Sequence, residues 1–271
     1  MKILETNKPL ALIVCGFAGG GTTMLGEMLR QHPKLDSGFE GGLLLAEDAY
    51  LFKSIEPHYS SLKKMWQVSD EEMDYICAAD TWSSVYQRLL DISPIIKDKS
   101  VYLFDKTPLY MKKLPNILSK VPNVPCIVLV RDPRAYLWTR TKRTYKNAPL
   151  GMTKVDWAEK TVEQAGSAYL KFARGYKRAI SSQYASRILL VQYESLCTNP
   201  EAETKKIFDF IELDFDKDYL TFHNKDSRYT PCHGQTVSTD YLEKYKNELP
   251  EKIQKKMLQI TKNYKNWFWQ Q

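Results

Sequence analysis

Short apolar runs alternate with longer stretches of helical periodicity along this chain, and the alternation predicts its elements. Residues 10–15, 35–38, 101–105, 126–130 and 187–192 read as strands, the first and fourth as unbroken apolar runs rich in branched side chains. Between them the apolar residues recur at helical spacing. Met24, Leu25, Met28 and Leu29 form one such stripe, ended by His32-Pro33, because proline disfavours helical geometry in the residue before it. Further helices are predicted over 109–119, 133–145, 155–182 and 199–210, with a basic helical region over 241–264. The stripe Val155, Ala158, Val162, Ala165, Ala168, Phe172, Tyr176 reads as core, and Trp267, Phe268 and Trp269 as a terminal anchor. Residues 43–95 read as a mostly helical insert rich in aromatics (Tyr50, Phe52, Tyr59, Trp66, Tyr75, Trp82, Tyr86), which line an acceptor pocket or fill core. Strands alternating with helices predict an α/β fold, a parallel sheet flanked by helices on both faces, as one domain over 1–271.

Where the first strand stops, the chemistry begins. Gly16, Gly19, Gly20 and Gly21 lead into Thr22, Thr23 and a helix start. Glycines let backbone N–H groups converge on an anion, and a helix start adds unpaired donors and the positive end of a dipole. The stretch therefore reads as a phosphate or sulfate cradle. Ligands of open parallel sheets bind beyond the carboxyl ends of the strands. That edge is where the sequence puts Glu40, Lys106 and Arg131, each following a predicted strand, with Thr139 two helical turns beyond Arg131.

Composition narrows the partners. The net charge of +7 combines 39 basic with 32 acidic residues, too mixed for a nucleic-acid coat and suited to a compact polyanion. Five unclustered cysteines, Cys15, Cys77, Cys126, Cys197 and Cys232, imply reduced thiols. Four scattered histidines and no C-x-x-C imply no metal site. No run approaches the roughly 18 apolar residues that span a bilayer, and the apolar start breaks into the glycine loop without a cleavage site. The expectation is a soluble, cytoplasmic protein.

Several of these pieces, in this order, resemble the sulfotransferase family, which uses 3′-phosphoadenosine 5′-phosphosulfate (PAPS). Residues 16–23 are similar to its 5′-phosphosulfate loop. Val128-Leu-Val-Arg-Asp-Pro-Arg134 with Thr139 resembles its 3′-phosphate motif, an arginine after a strand with a hydroxyl eight residues later. Val191-Gln-Tyr-Glu-Ser-Leu196, followed by Asn199-Pro200, resembles its Y-E-x-L segment, and Asp105-Lys-Thr-Pro108 the E-K-T-P run of carbohydrate and tyrosyl-protein members. Together they span about residues 10–212. The spacing from Thr23 to Glu40 and the stretch 235–250 further resemble the tyrosyl-protein branch, in which a glutamate so placed is the base.

The resemblance implies a P-loop-like sheet with a helical acceptor-side insert, and sulfuryl transfer from PAPS to a hydroxyl or amine of a small-molecule, carbohydrate or peptide acceptor, without metal. Gly19, Gly20, Gly21, Thr22 and Thr23 would hold the 5′-phosphosulfate, Arg131 and Thr139 the 3′-phosphate, with Tyr193 and Arg228 as further nucleotide contacts. Glu40 would take the acceptor's proton and Lys106 steady the developing charge. The family's loop carries Lys or Arg where this chain has Gly19, so Lys106 or Arg228 compensates or the protein binds without turnover. Gln235 stands where some relatives place a late lysine. A P-loop kinase is the other rival, opposed by Thr22 at the position of the triphosphate-binding lysine.

Overall fold

The computed structural model describes residues 9–221, 237–262, 264 and 268. Five parallel strands form one sheet in the order β2-β3-β1-β4-β5: β1 Leu10–Gly16, β2 Leu35–Asp36, β3 Tyr102–Lys106, β4 Cys126–Val130 and β5 Ile188–Gln192. Both faces of β1 are apolar because both are covered. Leu12 and Val14 pack into one core cluster, Ile13 and Cys15 into the other.

The first cluster is roofed by α1 (Thr22–Arg30) and its partners after β5. Opposite lie the insert helices α2 (His58–Trp66), α3 (Asp70–Cys77) and α4 (Trp82–Ile92), then α5 (Leu114–Lys120), α6 (Pro133–Thr144) and the long α7 (Lys154–Ile180). Short α8 (Tyr193–Thr198) and α9 (Pro200–Phe210) follow β5 and return to the first face. After them come α10 (Lys244–Glu248), which packs on α6, and α11 (Glu251–Ile260), which packs on α6 and α7.

Several boundaries differ from the sequence expectation, each for a local reason. Strand β3 runs through Lys106, which pairs with Val14 of β1. Strand β2 ends at Asp36, and at Gly38 an added Cβ would lie 2.3 Å from the Trp66 indole, so the chain leaves the sheet there to pass over α2. Tyr193 to Leu196 turn directly into helix α8. The basic C-terminal region divides at Leu249-Pro250, where proline sits at the N-cap of α11. Helix α7 begins one residue before the predicted start, fixed by a reciprocal capping box between Thr153 and Asp156.

Most insert aromatics are structural. Phe52, Trp66 and Tyr86 are buried, while Tyr50 and Tyr75 are exposed. Phe268 is buried against Phe17 and Tyr176, as the anchor reading requires, whereas Trp267 and Trp269 lie outside the described residues. The four described cysteines are free and buried.

Helix α7 meets the turn over Pro108–Lys113 so closely that a Cβ on Gly175 would lie 2.0 Å from the Met111 carbonyl oxygen. Helix propensity alone favours Gly175→Ala by about 0.5–1 kcal/mol. The contact with fixed backbone reverses the sign, so denaturant unfolding should show Gly175→Ala less stable by about 1–3 kcal/mol. A gain would show that the packing is looser than described.

Candidate active site

The carboxyl ends of β1, β3 and β4 converge on a cavity of about 940 Å³. Its floor is the glycine loop. Gly21, the N-cap of α1, has φ 98° and offers no side-chain cap, and the first-turn N–H groups after it lack intrahelical partners. A Cβ there would lie 2.3 Å from Cδ2 of Tyr193, so only glycine admits that ring. Gly20 instead closes the turn, its N–H donating to the Phe17 carbonyl at 2.7 Å.

Arg131 leaves the end of β4 and crosses to this loop. Its Nη1 donates to the Gly19 carbonyl at 2.9 Å, its Nη2 donates to the Tyr241 carbonyl at 3.3 Å, and its guanidinium lies 4.3 Å over the Tyr193 ring. The side chain is buried, yet Nε has no hydrogen-bond partner among the described residues. A buried, unsatisfied guanidinium N–H beside an open cradle is a donor that an anion could satisfy. Glu194 fixes the turn behind it, accepting from the Asp132 N–H at 2.9 Å. Burial pushes the Glu194 carboxyl up, and the bond from Asp132 partly offsets this.

On the far wall, Lys106 Nζ donates to Glu40 Oε1 at 3.2 Å and lies 4.3 Å over the Phe39 ring. The lysine side chain is fully buried; that of Glu40 is 27% exposed and lines the cavity. The loop carrying Glu40 is pinned by a polar hub. Asp105 accepts from Tyr86 at 2.6 Å, Tyr110 at 2.7 Å and Thr107 at 2.7 Å. Thr107 and Tyr110 in turn accept from the N–H groups of Gly42 and Leu44. Burial raises the Asp105 carboxyl above its ordinary 3.8, and the three hydroxyls pull it back.

The cavity thus brings together Gly19, Gly21, Thr22, Thr23, Arg131, Thr139, Tyr193 and Glu40, with Lys106 directly behind Glu40. Arg228 and Gln235 lie outside the described residues. Sequence reasoning missed Trp138, Lys142, Arg143 and Lys244, which also line it. The basic run after Thr139 was the available signal. With these included, the lining carries four cations and one carboxylate, a balance that selects for a polyanion.

The family model described as the sulfotransferase family matches residues 11–217. This chain belongs to that family. No curated protein sequence matches it. Among solved structures, it is similar to the sulfotransferase domain from the Synechococcus PCC 7002 olefin synthase, with 23% identity, TM-score 0.65 and coverage of 95% of this chain and 94% of that one. The sulfotransferase domain from the curacin biosynthetic pathway gives 18%, 0.64, 94% and 97% in the same order. Mouse sulfotransferase SULT7A1, solved in complex with PAP, gives 11%, 0.57, 97% and 88%. These likenesses confirm the sulfotransferase fold. Among the described residues of this sulfotransferase, no helix is long and apolar enough to cross a membrane, and no three His, Cys, Asp or Glu side chains cluster as a metal site.

The Asp105 hub makes a prediction independent of catalysis. Tyr110→Phe removes a donor from Asp105 and an acceptor from Leu44, a loss of about 1–3 kcal/mol at neutral pH. The folded-state pKa of Asp105 is already above its unfolded 3.8, and losing a donor raises it further. Raised carboxylate pKa values cost stability as pH rises, so the variant's deficit should be smallest near about pH 4 and grow towards neutrality. Urea melts at several pH values check this. A deficit that shrinks with rising pH would contradict it.

Proposed function

We propose that this sulfotransferase transfers a sulfuryl group from PAPS to a hydroxyl or amine of its acceptor. The observation that carries the reading is the buried Arg131 with its partnerless Nε, set beside a glycine cradle in one cavity. Two anion positions follow. The cradle of Gly19, Gly21, Thr22 and Thr23 suits a 5′-phosphosulfate, and Arg131 with Thr139 suits a 3′-phosphate. Tyr193 braces both, since it packs on Gly21 and under Arg131. The PAP complex of the similar mouse fold supports a nucleotide of this kind.

When bound, PAPS supplies a sulfuryl group whose bond to the 5′-phosphate oxygen is exchanged for a bond to the acceptor, leaving adenosine 3′,5′-bisphosphate. The chain's own residues position the groups and manage charge. Glu40 takes the acceptor's proton. Its Oε1 already accepts from Lys106, so Oε2 is the oxygen left for the proton. Protonation neutralises Glu40 and releases the Lys106 ammonium from its ion pair, and its charge then steadies what develops on the transferring group. Phe39, Pro108 and Leu109 line the cavity near Glu40, an apolar wall for a small-molecule, carbohydrate or peptide acceptor.

Labelled PAPS and a panel of hydroxyl and amine acceptors test the proposal. Wild type should transfer label. Glu40→Gln should turn over roughly 10² to 10⁴ times more slowly while binding adenosine 3′,5′-bisphosphate nearly unchanged. Equal activity in the variant would remove Glu40 from the chemistry. Nucleotide binding with no transfer to any acceptor would favour a non-catalytic binder.

A further inference from the structure

We propose that Arg143 supplies, from helix α6, the cation that the glycine loop lacks at Gly19, and that it acts on the 5′-phosphosulfate end of the donor. The inference rests on the PAPS reading above. Gly19 has φ +87°, and a Cβ built on it would lie 2.7 Å from Thr139 Cγ2, 3.3 Å from Arg143 Nη1 and 3.4 Å from Arg143 Cζ. The space where a loop side chain would begin is therefore already filled from α6. A Thr methyl takes the first part and a guanidinium comes next to it. The missing side chain and the incoming arginine are two halves of one exchange: a lysine or arginine at position 19 would be strained at that φ and would meet both groups.

Arg143 can play this part because it stands one helical turn beyond Thr139, on the same face of α6. Among the described residues it makes no hydrogen bond or ion pair, so its donors remain available to a ligand. The other cations at the site are engaged. The Lys106 ammonium is buried on Glu40 and beneath Phe39. Arg131 directs Nη1 and Nη2 to the carbonyls of Gly19 and Tyr241. Lys142 lies over the Trp138 ring at 5.5 Å and Lys244 over Tyr241 at 4.1 Å. Of the cations lining the cavity, Arg143 is the one whose guanidinium would meet a side chain at Gly19. A charge brought from a helix instead of the loop leaves the loop backbone free to wrap the anion.

Two half-ligands separate the ends of the donor. NMR titrations with adenosine 5′-monophosphate and adenosine 3′-monophosphate, alongside adenosine 3′,5′-bisphosphate, should be run on wild type, Arg143→Gln and Arg143→Lys. Arg143→Gln should weaken the 5′-monophosphate about ten- to a hundredfold, the share of one charge-assisted contact, and the 3′-monophosphate by less than about twofold. Arg143→Lys should keep most of the 5′ affinity. Loss confined to the 3′-monophosphate, loss of neither, or equal loss in the Lys and Gln variants would each overturn the assignment. A wild type that binds none of the three ligands overturns the PAPS reading itself, an outcome distinct from failure of Arg143 alone.

Discussion

The grip of Arg131 on the Gly19 carbonyl is the interaction on which the site depends. It joins the end of β4 to the loop after β1, and Tyr193, arriving after β5, fills the angle between them by packing on Gly21 and beneath the guanidinium. Three strand ends must be in register for this stack to form, and the parallel sheet provides that register. Aligning the strand ends leaves donors facing one space. Burying a guanidinium costs free energy that two carbonyls and a ring only partly offset, since Nε is left over. The remainder is what an anionic ligand can supply, so the fold carries affinity as incompletely satisfied donors.

Two carboxylates, Asp105 buried and Glu194 half-buried, hold the flanking loops. Glu194 secures the Arg131-Asp132 turn through the Asp132 N–H. Asp105 secures the Glu40 loop through hydroxyls that themselves accept from its backbone. Neither carboxylate lines the cavity. Asp105 makes three hydrogen bonds in low-dielectric surroundings and Glu194 one, which positions the Glu40 loop and the Arg131 turn from outside the cavity lining. The Glu40–Lys106 pair holds its loop in a similar way, for Lys106 is accommodated in the interior by its ion pair with Glu40.

Much of this was legible in the sequence, and the limits have physical causes. The glycine cradle, Arg131, Thr139 and the five strands were readable because continuous apolar runs and glycine clusters are local signals. Glu40 and Lys106 were readable as residues following strands, but their contact joins positions 66 apart and depends on how tightly the loop after β2 folds back. The Asp105 hub was not readable at all. It draws one hydroxyl from the insert and two from beyond β3, and nothing in periodicity distinguishes a tyrosine that fills core from one that donates to a buried carboxylate. Arg143 was missed for a related reason. Helical spacing places it near Thr139, yet only the close approach of α6 to Gly19 brings it to the loop.

The central claim is that the cradle and Arg131 together recognise a nucleotide phosphorylated at both ends of its ribose. The direct measurement is a thermal unfolding series of wild type and Arg131→Ala with adenosine 3′,5′-bisphosphate or ATP–Mg²⁺, since a ligand that binds only the folded state raises its stability with concentration. The account predicts a dose-dependent rise with the bisphosphate, little with ATP–Mg²⁺, and loss of most of the rise in Arg131→Ala. A larger rise with ATP–Mg²⁺, or a bisphosphate effect that survives the loss of Arg131, would contradict it.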